Sequence, residues 1–497
     1  MKTKLLILLY ITFSIPAIAQ KRLNIKDFGA RTGLDFNNAS IIQEAIDQAS
    51  ASGGGIVTVP EGNYLSGPLV LKSNVELHLE KNAILWGSAK RNDYTAGKMA
   101  IISAVGQHHI RISGKGTIDG QGRELVQNTL LLLRAGEIRD HEWLAKRPGE
   151  DNRTNLIYFK GCKDVSVTGI TLKNASSWVQ NYKECEGVVI DSMTVNSICY
   201  WNNDGIDIVD SKKVRISNSS FNAADDAICL KSEISAGSCE DILVENCTLR
   251  SSASGFKLGT GSVGGFRKVT VKNLTVFDTY RSAIALETVD GAFLEDVDID
   301  GVNAKNTGNA IFIRLGHRNK DSRFSTLKNV SIRNVKVEVP AGKPDIGYPM
   351  EGPLPKVSPH NLLPASVTGL PGHEVENVKL ENIEIVYGGG ASKERAFVSL
   401  DALDKVTENE AGYPEFTMFS ELPSWGLYTR HAKNMTISNI KLRLRGEDFR
   451  PALVFDDVKK LSLDKIDIPA ESSAAAIIVK NVEGLKYQNS KAAVKKI

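Results

Sequence analysis

The chain has 497 residues, 42% of them apolar and 24% charged, and carries a formal net charge of +3. It can build a large core and is long for one ordinary domain, a limit that solenoids escape because each repeat contacts only its neighbours. Near-neutral charge excludes a general nucleic-acid or polyanion binder and leaves room for a local basic cleft.

The first residues read as an export signal. Lys2 and Lys4 precede an apolar run over 5–15, too short to span a bilayer, and Ala17-Ile18-Ala19 offers a cleavage site before Gln20. No cysteine follows that site to carry a lipid, and no later stretch reaches 18 apolar residues. The expected division is a signal peptide over 1–19 and one domain over 20–497, exported to the periplasm or secreted. A short amphipathic helix is predicted over 39–50, with Ile41, Ile42, Ala45, Ile46 and Ala49 at helical spacing and Gly53-Gly54-Gly55 as its stop. Placed ahead of a run of strands, it suits a cap over the open end of a solenoid.

A repeat follows. Its unit is a charged or polar pair, an alternating apolar strand, a turn at Asn, Gly or Asp, and a second short strand. Val165, Val188, Val214, Ile242 and Val269 mark successive copies at spacings of 23, 26, 28 and 27 residues. Further copies start near Lys328, Glu376, Lys433 and Lys459. No helical crossovers separate these strands, which excludes a doubly wound α/β sheet. The predicted fold is all-β, a single-stranded right-handed parallel β-helix with an N-terminal capping helix. Three stretches break the rhythm, near 122–154, 339–375 and 386–430, and are expected as loop insertions able to wall a cleft. The lysine-rich end, with Lys491, Lys495 and Lys496, reads as a solvated tail. The six cysteines fit small buried hydrophobes, with a local bridge from Cys229 to Cys239 as the alternative; none forms a Cys-x-x-Cys pair, and no zinc site is expected.

Two motifs carry chemistry. Asn202-Asn203-Asp204-Gly205-Ile206-Asp207 precedes Asp225-Asp226 by about one coil, so Asp204 and the Asp pair should stack roughly 4.8 Å apart. Three converging carboxylates suit glycosidic cleavage with inversion: one protonates the leaving oxygen and another activates water across the ring. Capping aspartates in turns and a calcium site are the bland and the sharp rivals.

The sequence resembles the family 28 glycoside hydrolases, the polygalacturonase family of pectin-lyase-like β-helix proteins. The likeness rests on Asp27-Phe28-Gly29-Ala30, on Val57-Thr58-Val59-Pro60-Glu61-Gly62-Asn63-Tyr64, on Gly116-Thr117-Ile118-Asp119-Gly120-Gln121-Gly122, and on the two aspartate motifs. It implies an inverting hydrolase with Asp225 as general acid, Asp204 and Asp226 holding and activating water, and Asn202 and Asp207 supporting the site or binding sugar. Two departures stand out. Ser254 occupies the place of the family's Gly-His-Gly histidine, and Ala285-Leu286-Glu287 stands where its Arg-Ile-Lys grips a galacturonate carboxylate. Lys231, Lys257 and Arg281 are the candidate replacement cations; His108, His109 and His317 read as structural.

The expectation is an exported, exo-acting hydrolase of pectin-like polysaccharide (galacturonan or rhamnogalacturonan). It would meet a polysaccharide or oligosaccharide substrate as a monomer, with no cofactor, metal, nucleic acid or membrane. A calcium-dependent polysaccharide lyase and a non-catalytic carbohydrate-binding β-helix are the alternatives. A lyase needs a lysine or arginine base beside the carboxylates, and the sequence places none adjacent to the trio.

Overall fold

The computed structural model describes residues 21–95, 99–143, 147–345, 363–390, 394, 398–469 and 476–497. The predicted signal peptide and parts of the three predicted insertions lie outside the described residues.

Alternating strands bury all their apolar faces at once when each coil lies on the previous one in register. The marker residues do this: Val165 pairs with Val188, Val188 with Val214, Val214 with Ile242, Ile242 with Val269, and Val269 with Val297, all parallel. Val297, Val330 and Val378 continue the column. Every member is at most 2% exposed, so the repeat spacing read from sequence is the coil length. The protein is a single-stranded right-handed parallel β-helix around one continuous apolar core.

Asparagine makes the corners. Asn218, Asn246 and Asn273 all adopt left-handed φ, as do Asn334, Asn382 and Asn439. Asparagine tolerates that conformation better than most side chains. Stacked asparagines also bond along the axis, Asn246 to Asn218 at 3.3 Å and Asn439 to Asn382 at 2.9 Å.

The capping helix runs Ala39–Ala51 and buries Ile42, Ala45, Ile46 and Ala49 against the first coil, one residue longer than predicted. At the other end, strand Val494–Lys496 pairs with Ile477–Glu483. The expectation of a solvated tail is corrected in part: the lysine side chains are exposed, but the backbone of the last coil has unpaired groups that the chain end satisfies. The alternative Cys229–Cys239 bridge is also corrected, because all six cysteines are free thiols. The Cys239 thiol turns to the Lys231 carbonyl at 3.1 Å, while Cys229 takes a contact from the Lys231 ammonium at 3.2 Å. His317 stacks on Phe324, which stacks on His373, a structural sandwich.

Two of the irregular stretches fold onto one flank. Helix Gly122–Ala135 packs Val126 against Tyr200 and Trp201. Residues 398–424 are held by a second apolar cluster that includes Leu403, Phe416, Phe419 and Tyr428. Buried Arg314 ties them down by donating to the Glu408 carbonyl at 2.7 Å.

Candidate active site

Successive strands on the flank between these two stretches stack their outward side chains into columns. Asp207 pairs with Cys229, Cys229 with Lys257, and Lys257 with Ala285. Lys231 and Glu287 lie two positions further along their strands, on the same face. The aspartate motifs sit in the turns just ahead. The Gly205 amide donates to the Asp226 carbonyl at 2.9 Å, and the Asp225 amide to the Asn203 carbonyl at 3.3 Å. The two turns therefore stack coil on coil. A Cβ at Gly205 would lie 2.5 Å from the Ala227 carbonyl oxygen, an approach only glycine permits.

Asp204, Asp225 and Asp226 each bring one carboxylate oxygen within 4.8 Å of the other two. They are 3%, 6% and 2% exposed. The Asp226 carboxylate accepts from the Ser254 amide at 3.0 Å and meets Lys257 Nζ at 3.0 Å. Lys231 Nζ lies 3.4 Å from Asp207 and 3.8 Å from Asp204. The same ammonium sits 4.8 Å from the ring centre of half-buried Trp178.

Burial and neighbouring charges set the protons apart. Burial pushes Asp204 well above the carboxylate range, and Asp207 and Asp225 add to that push. Asp207 is driven by burial up to about 8 against the pull of Lys231. Burial acts on Asp226 as well, but Lys257, Lys231 and Arg281 outweigh it and hold Asp226 below its ordinary value. The site thus favours a proton on Asp204 and a negative charge on Asp226, so the crowded carboxyls do not share one protonation state. Lys257 is buried and the Lys231 side chain is 11% exposed, which disfavours their charge, yet the facing acidic groups hold both protonated.

Among the described residues, two groups of atoms have the spacing to hold a cation: Asp204, Asp225 and Asp226, and Asp204, Asp207 and Cys229. A lysine ammonium already stands against each group, which fits these residues poorly to a divalent ion. The same two lysines correct the expectation that no basic residue adjoins the trio. Their carboxylate partners favour the charged form of both, which works against the proton acceptor that an elimination needs.

The other expected site residues divide. Lys231, Lys257, Asp207 and Glu287 line the floor beside the trio, and Ser254 contributes its amide to Asp226. Arg281 lies in the electrostatic field of Asp226 and Glu287. Asn202 turns its side-chain oxygen to Arg153 at 2.9 Å and Arg147 at 3.3 Å, which makes it a clasp to residues 147–153. Neighbouring Asn203 is fully buried. It accepts from the Ser197 hydroxyl at 2.9 Å and donates to the Ala175 and Ser177 carbonyls at 2.8 and 2.7 Å. Asn203→Ala is expected to cost about 1–3 kcal/mol for the partners left unpaired. It should also lower activity by loosening the turn that carries Asp204; urea unfolding and a turnover assay on the variant check both.

Sequence reasoning missed the side chains that arrive from outside the repeat. Arg153, 1% exposed, donates to the Trp201 carbonyl at 2.8 Å and braces the Asp204 turn. Tyr413, from residues 398–424, reaches Lys257 Nζ with its hydroxyl at 3.3 Å. Neither belongs to a spacing pattern that would have marked it.

The sequence model described as glycosyl hydrolases family 28 matches residues 51–345, more than half of the chain. The chain belongs to this family. It is 28% identical over 251 residues to an exo-poly-alpha-D-galacturonosidase of Dickeya chrysanthemi, covering 42% of this chain and 41% of that protein. It is 27% identical over 263 residues to a probable endo-xylogalacturonan hydrolase A of Neosartorya fischeri, covering 50% of this chain and 58% of the relative. The chain thus spans about two fifths to three fifths of the lengths of these relatives. The family 28 exopolygalacturonase of Yersinia enterocolitica superposes with a TM-score of 0.65 at 17% identity, over 89% of this chain and 78% of that one. That likeness shows the shared β-helix.

Proposed function

We propose that this family 28 protein hydrolyses glycosidic bonds in pectin-like polysaccharide, galacturonan or rhamnogalacturonan, by an inverting acid–base mechanism. The observation that carries the proposal is the meeting of Asp204, Asp225 and Asp226 on one buried floor with the charge concentrated on Asp226. In this reading Asp225 protonates the leaving oxygen. Asp226, ionised beside Lys257, holds the attacking water with Asp204 and accepts its proton. Residues 1–19 direct export, and residues 20–497 form one hydrolase domain acting as a monomer. Among the described residues, no helix is long and apolar enough to cross a membrane. Residues 122–143, 147–154 and 398–424 stand on the flank that carries the trio, and walls there favour attack from chain ends. The likeness to a protein named as an exo-galacturonosidase supports that mode.

One observation favours a second reading. The nearest oxygens of the three carboxylates lie within 4.8 Å of one another, so the trio is crowded. A close pair suits double displacement, with a carboxylate as nucleophile and retention at the anomeric carbon. Proton NMR of the first product released from defined pectic oligosaccharides separates the readings. An inverted anomer is the expected result, and a retained one overturns the mechanism. A product with the ultraviolet absorbance of an unsaturated sugar would mean elimination and overturn hydrolysis itself.

A further inference from the structure

On the C-terminal side of the trio, three features point the same way. The first is an open aromatic ring. Tyr413 is 47% exposed. Its position is set from below: Lys257 Nζ meets its hydroxyl, and the guanidinium carbons of Arg281 and Arg318 lie 5.7 and 5.8 Å from its ring centre. An exposed aromatic face beside buried polar groups is the usual makeup of a small-molecule pocket. The second is a carboxylate with an unmet need. Glu287 is 2% exposed, 3.8 Å from Lys257 Nζ, and its Oε2 has no hydrogen-bond partner among the described residues. Burial lifts Glu287 to about 7, so near neutrality it accepts when ionised and donates when protonated. A sugar hydroxyl suits either form, whereas a uronate carboxylate cannot donate and would meet the charge of the ionised form.

The third feature is the pairing of the nearby cations. Lys257 faces Asp226 and Glu287, and Lys231 faces Asp207 and Asp204. Arg318 grips Asp290 with two bonds of 2.7 and 2.8 Å. Arg281 lies in the field of Asp226, Glu287 and Glu415. An incoming carboxylate would have to compete with protein carboxylates for every one of them.

We propose that Tyr413, Lys257 and Glu287 form a subsite next to the cut that takes a neutral sugar, with its ring face on Tyr413 and a hydroxyl hydrogen-bonded to Glu287, in place of a uronate. This rests on the glycosidase reading above and narrows it to the bond between a uronate and a neutral sugar. Tyr413 is then a specificity-determining residue supplied from outside the β-helix.

The test compares two oligosaccharide sets of equal length on the full chain: one alternating galacturonate with a neutral deoxyhexose, the other uniform oligogalacturonate. The alternating set is expected to show at least about ten-fold higher kcat/KM. Tyr413→Ala should lower that value about ten-fold, mainly through KM, as the loss of a stacked ring would. Glu287→Lys combined with Ala285→Arg should shift the preference toward the uniform chain. Equal or better cleavage of the uniform chain by the natural protein, or an unchanged KM in Tyr413→Ala, overturns the subsite and leaves hydrolysis standing. If neither set is cleaved, the glycosidase reading falls. Calorimetric binding of both sets to the Asp225→Asn protein then decides the subsite alone: tighter binding of the alternating set upholds it, and equal or weaker binding overturns it.

Discussion

Asp225→Asn is expected to lower kcat by about 10²–10⁴-fold, the usual contribution of a positioned general acid, with little change in fold or sugar binding. Asparagine keeps the size of the side chain and an oxygen able to accept from the Asp226 amide, a contact of 2.9 Å in the natural protein. The turn is also held by bonds that the substitution leaves alone: the Ser251 hydroxyl donates to the Asp225 carbonyl at 2.5 Å and the Asp225 amide donates to Asn203. What is lost is the transferable proton. Single-turnover assays alongside circular dichroism test the point. A variant that keeps natural turnover would remove Asp225 from the role of acid. Substrates with a highly acidic leaving group should regain much of the lost rate, because they need no proton in the transition state, and substrates with poor leaving groups should not.

Lys257→Met should be the most damaging change to stability at the site, about 3–5 kcal/mol, because it strands a buried carboxylate. Lys257 is 1% exposed and lies 3.0 Å from Asp226, itself 2% exposed. In the natural protein Asp226 sits below its unfolded value, so the stability it adds is present above roughly pH 4 and fades only as pH falls through the folded pKa. Lys257 sits above its unfolded value, so its contribution holds below roughly pH 10 and is lost as pH rises past the folded pKa. The pair is intact across the neutral range. Without the lysine, burial dominates and lifts Asp226 above its unfolded value. The variant should therefore lose stability more steeply than the natural protein as pH rises through about 4 to 8, a range in which the raised carboxyls of Asp204 and Asp207 already tilt the natural curve downward. Its activity profile should also move its acid limb to higher pH, since the base stays protonated longer. Tm measured against pH reads the first effect, and kcat/KM against pH the second. A variant whose Tm follows the natural curve would show that Lys257 does not neutralise Asp226.

Much of the fold was legible because it is periodic. A valine column at spacings of 23–28 residues has one economical packing, and the register Val165–Val188–Val214–Ile242–Val269 follows it pair by pair. The stacking of Asp204 over the Asp225-Asp226 turn follows from the same arithmetic. Tail and base were misread for a shared reason. Exposed lysine side chains at 495 and 496 hide a paired backbone, and Lys231 and Lys257 look like surface charges until the coils above and below enclose them.

By itself, then, the sequence determined the coil, its direction of stacking and which aspartates meet, since those depend on spacing along one chain. The tertiary structure alone decided the electrostatics and the walls. Whether Asp226 holds charge depends on Lys257 one coil further on, and on how much water burial removes from both. Whether Tyr413 reaches the site depends on Arg314 fastening residues 398–424 across nearly a hundred residues of chain. Both are contacts between segments with no common period, and only folding brings them together.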